Sequence, residues 1–203
     1  MSKLKIREEL IPILGDLGFD PVNEMHLRIY KAIRGGKNLL IEDQDEQEMF
    51  SVISTALLQL IPEPGEGSPR AIIIVKDDET ARRFHARLEN FTRKFDLTVD
   101  LVVEKGNMLQ QRNDLFDGTE IIIGTPQRLF DLYIQNGFNI GKVNLFVLFG
   151  ALEIMRAGKK MQISRITESL PNCRRVLLSY SFSDSRIEEF IEEFLPVYET
   201  IED

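Results

Sequence analysis

Short continuous runs of Leu, Ile and Val recur along the chain, and they constrain the fold more than any other feature of the sequence. The runs do not alternate between apolar and polar residues, which is typical of strands buried on both faces of a parallel sheet. Strands are therefore predicted at six places: 38–41, 71–75, 97–103, 120–124, 143–149 and 176–182.

Segments with helical periodicity separate these runs. Residues 79–95 place apolar side chains on one stripe and arginines on the other side. Residues 126–136 begin at Thr125-Pro126, an N-cap followed by a first helical residue, and Ser185 and Glu188 have the spacing of a capping box. This alternation predicts a doubly wound α/β fold with a mostly parallel sheet, whose ligands bind at the carboxyl ends of the strands.

Composition narrows the class of protein. The sequence carries 25 Lys and Arg against 33 Asp and Glu, a net charge of −8, which disfavours broad electrostatic binding to nucleic acid. A single cysteine, Cys173, excludes an internal disulfide, and the absence of a signal peptide favours the cytoplasm. No apolar stretch is long enough to cross a membrane.

The loop at 62–69 is short, so we expect residues 1–203 to form one domain.

The order of local motifs resembles the first RecA-like domain of the DEAD-box RNA helicases. The resemblance rests on five segments: Gly18-Phe19, Gly36–Leu40, Pro69–Val75, Gly124–Leu129 and Leu177–Phe182. The most specific segment is Gly-Thr-Pro-Gln-Arg-Leu at 124–129, which is similar to the family's Thr-Pro-Gly-Arg motif. The resemblance implies a RecA-like fold of the P-loop NTPase type. It also implies a second RecA-like domain for ATP hydrolysis, which is not present in this sequence.

The phosphate loop departs from the family pattern. The resemblance places Gly-x-Gly-Lys-Thr after the first strand, where glycine amides and a lysine bind the phosphates. This sequence has no glycine at 43–50, and the degenerate positions are Asp45, Glu46, Glu48, Met49 and Phe50. Asp45 and Glu48 have N-cap and N3 spacing, which predicts that carboxylates cap the next helix. We therefore expect no bound nucleotide cofactor, with altered nucleotide or metal use as the alternative.

The Asp-Glu-Ala-Asp motif is absent as well. At its place stand Phe149, Gly150, Ala151 and Leu152, and an apolar side chain can neither ligate magnesium nor take a proton. We expect neither a metal site nor catalytic residues there. Apolar packing is the interpretation that the residues favour.

The RNA-contacting motifs are partly retained. The resemblance implies RNA backbone contacts at Gly124, Thr125, Pro126 and Arg128, although a Thr-Pro pair also starts a helix without any ligand, and the acidic net charge favours this capping role. Residues that could reinforce RNA contact are Lys105, Gly106, Arg112, Arg156, Lys159 and Lys160. Three other motif positions differ from the family.

Asp78 replaces an RNA-contacting arginine, His26 replaces the adenine-reading glutamine, and Ser179-Tyr180-Ser181 replaces Ser-Ala-Thr. A histidine on the helix surface or one bonded locally is the favoured interpretation of His26. Packing at the strand end is the favoured role of the Ser-Tyr-Ser segment.

These observations favour an inactive helicase-like domain that binds RNA or a protein without hydrolysing ATP. A protein partner would use apolar anchors at Phe149, Leu152 and Tyr180. The alternatives are an ATP-binding helicase domain that works with another chain and an unrelated α/β regulator. The sequence predicts neither the partner's identity nor the oligomeric state.

Overall fold

A computed structural model describes residues 5–65, 67–170, 172–195 and 197–202. In this part of the chain, β1 (Leu39–Glu42), β2 (Ala71–Ile74), β3 (Val99–Val102), β4 (Ile121–Gly124), β5 (Leu145–Phe149), β6 (Arg174–Ser179) and β7 (Glu199–Glu202) form one sheet. Its strand order is β3-β4-β2-β5-β6-β1-β7, and every pairing is parallel. The six predicted strands are present, and β7 is an additional edge strand.

Helices cover both faces of the sheet. A 3₁₀ segment at Glu8–Ile13, α1 (Leu14–Leu17), α2 (Glu24–Arg34), α3 (Glu46–Leu60) and α4 (Asp78–Thr92) contribute to one core. The other core contains α5 (Met108–Asp117), α6 (Pro126–Ile134), α7 (Ala151–Arg156), α8 (Lys160–Thr167) and α9 (Ser185–Phe194). A short 3₁₀ segment, Arg93–Phe95, follows α4.

Alternation along the strands explains the continuous apolar runs. Successive side chains of a strand point to opposite faces. In β2, Ile73 belongs to the core under α1–α4, whereas Ile72 and Ile74 belong to the core under α5–α9. Both faces are buried, so both sets of positions must be apolar.

Two helix starts differ from their predicted form. Asp184, not Ser185, is the N-cap of α9, and its carboxylate accepts the Arg186 amide proton at 3.1 Å. Thr125 is the N-cap of α6 by position, but its hydroxyl makes no capping bond and donates to Glu104 instead. At α9 the capping carboxylate lies one position before the predicted serine. At α6 the Glu104 carboxylate accepts the hydroxyl proton of Thr125.

Candidate functional site

A cleft lies at the carboxyl ends of the strands, where the doubly wound fold predicts a site. Its volume is about 700 Å³. Loops after β1, β2, β5 and β6 line it, because parallel strands end at the same edge of the sheet. Among the residues that line it are Asp45, Glu46, Met49, Lys76, Phe149 and Tyr180.

The first turn of α3 hydrogen bonds to the chain's own carboxylate. Asp45 Oδ1 accepts from the backbone amides of Gln47 and Glu48, each at 2.9 Å. The predicted N-cap is therefore present. Glu48 does not complete the capping box, because its carboxylate turns toward His26.

His26 is buried and bonded on both sides of its ring. Its Nδ1 accepts the Asp20 amide proton at 2.9 Å, and its Nε2 lies 2.7 Å from Glu48 Oε1. The tautomer that satisfies both contacts carries its proton on Nε2. The ring also stacks on Phe19 with centroids 5.5 Å apart. Of the two predicted possibilities, the bonded histidine is confirmed and the helix-surface histidine is wrong, because His26 is 2% exposed.

Glu46 pairs with two cationic side chains of the cleft. Its carboxylate lies 2.5 Å from Lys76 Nζ and 3.2 Å from an Arg83 guanidinium nitrogen. Burial alone would lower the pKa of Lys76, but the hydrogen bond and negative charge of Glu46, together with Glu153, raise that pKa above its ordinary value. Lys76 is therefore charged at neutral pH and already has carboxylate partners.

Three phenylalanines pack behind the cleft. The Phe50 and Phe84 rings stack with centroids 4.0 Å apart, and Phe149 meets Phe84 edge-on at 5.1 Å. Phe149 is 2% exposed and Leu152 is 1% exposed. The prediction that these two residues are docking anchors is wrong, because the sheet and helices bury them. The predicted apolar packing at these positions is confirmed.

Three further residues of the 45–50 and 149–152 segments, Met49, Gly150 and Ala151, have structural roles. Met49 is also buried, and Ala151, the first residue of α7, lies in the core. Gly150 has a φ of 71°, a left-handed conformation that glycine adopts without steric cost. Met49 and Gly150 line the cleft.

Tyr180 is the one exposed member of the three predicted anchors, at 40% exposure. Its hydroxyl accepts a hydrogen bond from Arg156 at 2.6 Å, and Arg156 also pairs with Asp184 at 3.1 Å. Lys159 and Lys160, predicted together with Arg156 as candidate RNA contacts, also have partners within the chain. Lys159 donates to Gln127 at 3.0 Å, and Lys160 lies 3.3 Å from Glu193.

The predicted RNA-contacting residues meet where β4 leads into α6. We call this region the β4–α6 corner; it comprises residues 104–106 and 124–128. Arg128 donates to the carbonyl oxygens of Glu104 at 2.6 Å and Gly106 at 3.3 Å. Thr125 donates its hydroxyl proton to Glu104 Oε1 at 3.3 Å. The structure thus places the loop that contains Lys105 and Gly106, two of the predicted reinforcing residues, against the residues that the resemblance singled out.

Close packing explains the residue types at this corner. A Cβ on Gly124 would come within 2.5 Å of the Val102 carbonyl oxygen, so only glycine fits there. Pro126 occupies the first position of α6, where its missing amide hydrogen is not needed. The fold requires glycine at 124 and accommodates proline at 126 whether or not a ligand binds.

Asp78 spans the gap between α4 and the loop after β3. Its two carboxylate oxygens accept the backbone amide protons of Glu104 at 3.1 Å and Lys105 at 2.9 Å. The sequence indicated only that an arginine had been replaced by an acid, and could not indicate these two long-range contacts.

Other features were not found from the sequence. Phe116 and Leu109 lie on one face of α5, with exposures of 85% and 66%. Their seven-residue spacing is the sequence signal that could have predicted this shared face of α5.

Glu120 is buried and accepts hydrogen bonds from the Gly65 amide at 3.0 Å and from the Thr98 amide at 2.8 Å. Its two partners lie in distant loops, so local sequence could not predict them.

The residues that the structure describes contain neither a membrane-spanning helix nor a metal-binding cluster. Within them, no helix combines the length and apolar character needed to span a membrane. The same part of the chain contains no group of three or more His, Cys, Asp or Glu side chains with the arrangement of a metal site.

Comparisons with solved structures match the fold. A DEAD box protein from Methanococcus jannaschii covers all of this chain with a TM-score of 0.88 and 17% identity, over 55% of that protein. The S. cerevisiae dbp5 L327V chain, bound to gle1 H337R and ip6, gives a TM-score of 0.84 and 22% identity; the match covers all of this chain and 52% of dbp5. These likenesses support the RecA-like fold.

Sequence comparisons identify the family. The ATP-dependent RNA helicase eIF4A of Kluyveromyces lactis is 27% identical over 192 residues, which cover 95% of this chain and 48% of the relative. This chain therefore spans about half the length of that relative. The sequence profile described as DEAD/DEAH box helicase matches residues 51–190. The chain belongs to the DEAD/DEAH box helicase family.

Proposed function

We propose that this domain is a binding module of the helicase family that works without binding or hydrolysing ATP. The observation that carries the proposal is the contact of Asp45 with the first amides of α3. In P-loop proteins such amides bind the phosphates of the nucleotide. A carboxylate bonded to the same amides competes with the nucleotide for the site.

Electrostatics favour the same conclusion. Two like charges about 4 Å apart repel by roughly 4 kcal/mol at an effective dielectric of 20. Phosphates placed beside Asp45 and Glu46 would face this repulsion. They would also have to compete with Glu46 for Lys76 and Arg83.

The residues present do not fit magnesium-dependent hydrolysis in the family's pose. Phe149 and Leu152 are buried side chains without oxygen ligands, at the positions where the resemblance implies carboxylates. A hard cation such as Mg²⁺ binds through oxygen ligands and water. We therefore derive no catalytic step for this domain.

RNA and protein are the two partner classes that the sequence suggests, and we favour protein. The candidate RNA-contacting groups Thr125 and Arg128 already donate to acceptors within the chain. Exposed apolar side chains such as Phe116 and Leu109 are typical of surfaces that contact proteins. A pull-down scored for both RNA and protein tests this preference: we expect recovered protein, and recovery of RNA alone would contradict it.

An ATP-binding helicase domain that works with another chain is the second candidate. The cleft volume of about 700 Å³ favours it, because cavities of this size accommodate small-molecule ligands. Lys76 and Arg83 are also cations on the cleft wall.

Phosphate release from Mg-ATP tests the claim that the domain does not hydrolyse ATP. We expect the domain to release no phosphate above the protein-free background, with or without oligouridylate. K. lactis eIF4A assayed in parallel verifies the conditions. RNA-stimulated phosphate release by the domain, lost on Lys76→Ala, would establish the second candidate in place of the first.

A further inference from the structure

The β4–α6 corner contains three kinds of hydrogen-bond donor suited to a phosphate group. They are the adjacent backbone amides of Glu104 and Lys105, the Thr125 hydroxyl and the Arg128 guanidinium. Backbone amides, hydroxyls and guanidinium groups are the donors that bind the phosphodiester backbone of nucleic acids. The corner would therefore suit RNA if these donors were available.

Acceptors within the chain already engage each of these donors. Asp78 accepts from both amides, Glu104 accepts from Thr125, and backbone carbonyls accept from Arg128. Two of these acceptors, Asp78 and Glu104, are carboxylates. A phosphate entering the corner would have to displace them or lie beside their negative charge.

Capping of α4 does not require the Asp78 carboxylate. Asp77 is the N-cap of that helix, and its carboxylate accepts the Thr80 amide proton at 2.8 Å. Asp78 instead reaches residues 26 and 27 positions away in sequence. Its contacts are thus specific to the corner.

We propose that Asp78 is the specificity-determining residue that closes the β4–α6 corner to the phosphodiester backbone of single-stranded RNA. The proposal rests on the proposed function, because it concerns which partner an ATP-independent module admits. It also predicts that a single substitution opens the corner. Removing the Asp78 carboxylate frees the backbone amides of Glu104 and Lys105 and removes the negative charge that lies against them.

Fluorescence anisotropy with labelled decauridylate, without nucleotide, tests the proposal. We expect Asp78→Ala to bind this RNA at least about tenfold more tightly than the unmodified chain. The logarithm of its association constant should fall by roughly 0.7 per phosphate contact for each tenfold rise in salt concentration. The double variant Asp78→Ala/Arg128→Glu should lose the gain. Glu79→Ala removes an exposed carboxylate from the neighbouring position of α4 and should leave RNA binding unchanged.

Asp78→Asn keeps the shape of the side chain and decides the matter if the alanine variant does not fold. A folded Asp78→Ala or Asp78→Asn variant that binds no more RNA than Glu79→Ala overturns the proposal. Arg128-dependent RNA binding by the unmodified chain overturns it as well. Neither result concerns ATP, so the phosphate-release assay still tests the proposed function independently.

Discussion

Individual carboxylates in this domain bind backbone amides, either at the start of their own helix or in distant loops. Asp45 binds the start of α3, Asp78 binds the loop after β3, and Glu120 binds amides in two loops. A hydrogen bond to a charged acceptor is stronger than one between neutral groups. These acids therefore contribute to stability as well as to the charge of the surface.

Replacing Asp45 measures the strength of the α3 cap. We expect Asp45→Ala to lower the free energy of unfolding by about 0.5–2 kcal/mol, because two amides lose their acceptor. Asp45→Asn should stay close to the unmodified chain, since asparagine caps a helix equally well. Urea denaturation followed by circular dichroism gives both values, and equal stability of the alanine variant would contradict the cap.

Acid should destabilise the domain partly through Glu120. Burial raises the pKa of this group, but bonds from the Gly65 and Thr98 amides, the Thr98 hydroxyl and the charge of Arg70 outweigh it, so the pKa lies below its ordinary value. A depressed folded-state pKa gives stability that is present above the unfolded pKa of about 4.3 and is lost as pH falls through the folded value.

Denaturation curves between neutral pH and pH 3 test this contribution. We expect Glu120→Gln to weaken the fall in stability below about pH 4.3, where the unfolded glutamate begins to bind protons. Glu63→Gln, in an exposed loop, is the matched control and should keep the original slope. An unchanged slope in Glu120→Gln would exclude this group as a source of the acid sensitivity.

At the residue scale, local spacing was sufficient for Asp45 but not for Asp78 or Glu120. The Asp45 cap depends on residues two and three positions away. The other two acids bind amides at least 22 positions distant, which only the assembled sheet brings close. The sequence therefore identified unusual acids without their partners.

Among the secondary-structure elements, the strands were the most predictable. Burial on both faces requires continuous apolar runs, and six such runs correspond to β1–β6. β7 lies at the edge of the sheet, and its Glu-Thr-Ile-Glu sequence buries only Ile201. An edge strand with one buried position has no apolar run from which it could be predicted.

Packing of α3 and α4 against β5 depends on the three aromatic rings. We expect Phe149→Ala to lower the free energy of unfolding by about 3–5 kcal/mol, because it leaves a cavity beside Phe84. Phe116→Ala is the matched control: this residue is 85% exposed, and the change should stay within about 0.5 kcal/mol. Similar losses in the two variants would contradict the packing role of Phe149.

For the whole molecule, the family's sheet and strand-end cleft are present, and the chain's own acids line the cleft. The sequence located this edge of the sheet because parallel strands place their loops together. It did not predict which apolar residues are exposed: Phe149 and Leu152 are in the core, while Phe116 lies on the surface. Exposure depends on what packs above each strand end, which is a property of the assembled layers.

Calorimetric titration of the domain with Mg-ATP tests the central claim most directly. The contacts of Asp45 and Glu46 predict no saturable heat, because the carboxylates engage the amides and cations that a triphosphate needs. Saturable binding at micromolar nucleotide, abolished by Lys76→Ala, would place a nucleotide in the cleft and contradict the account.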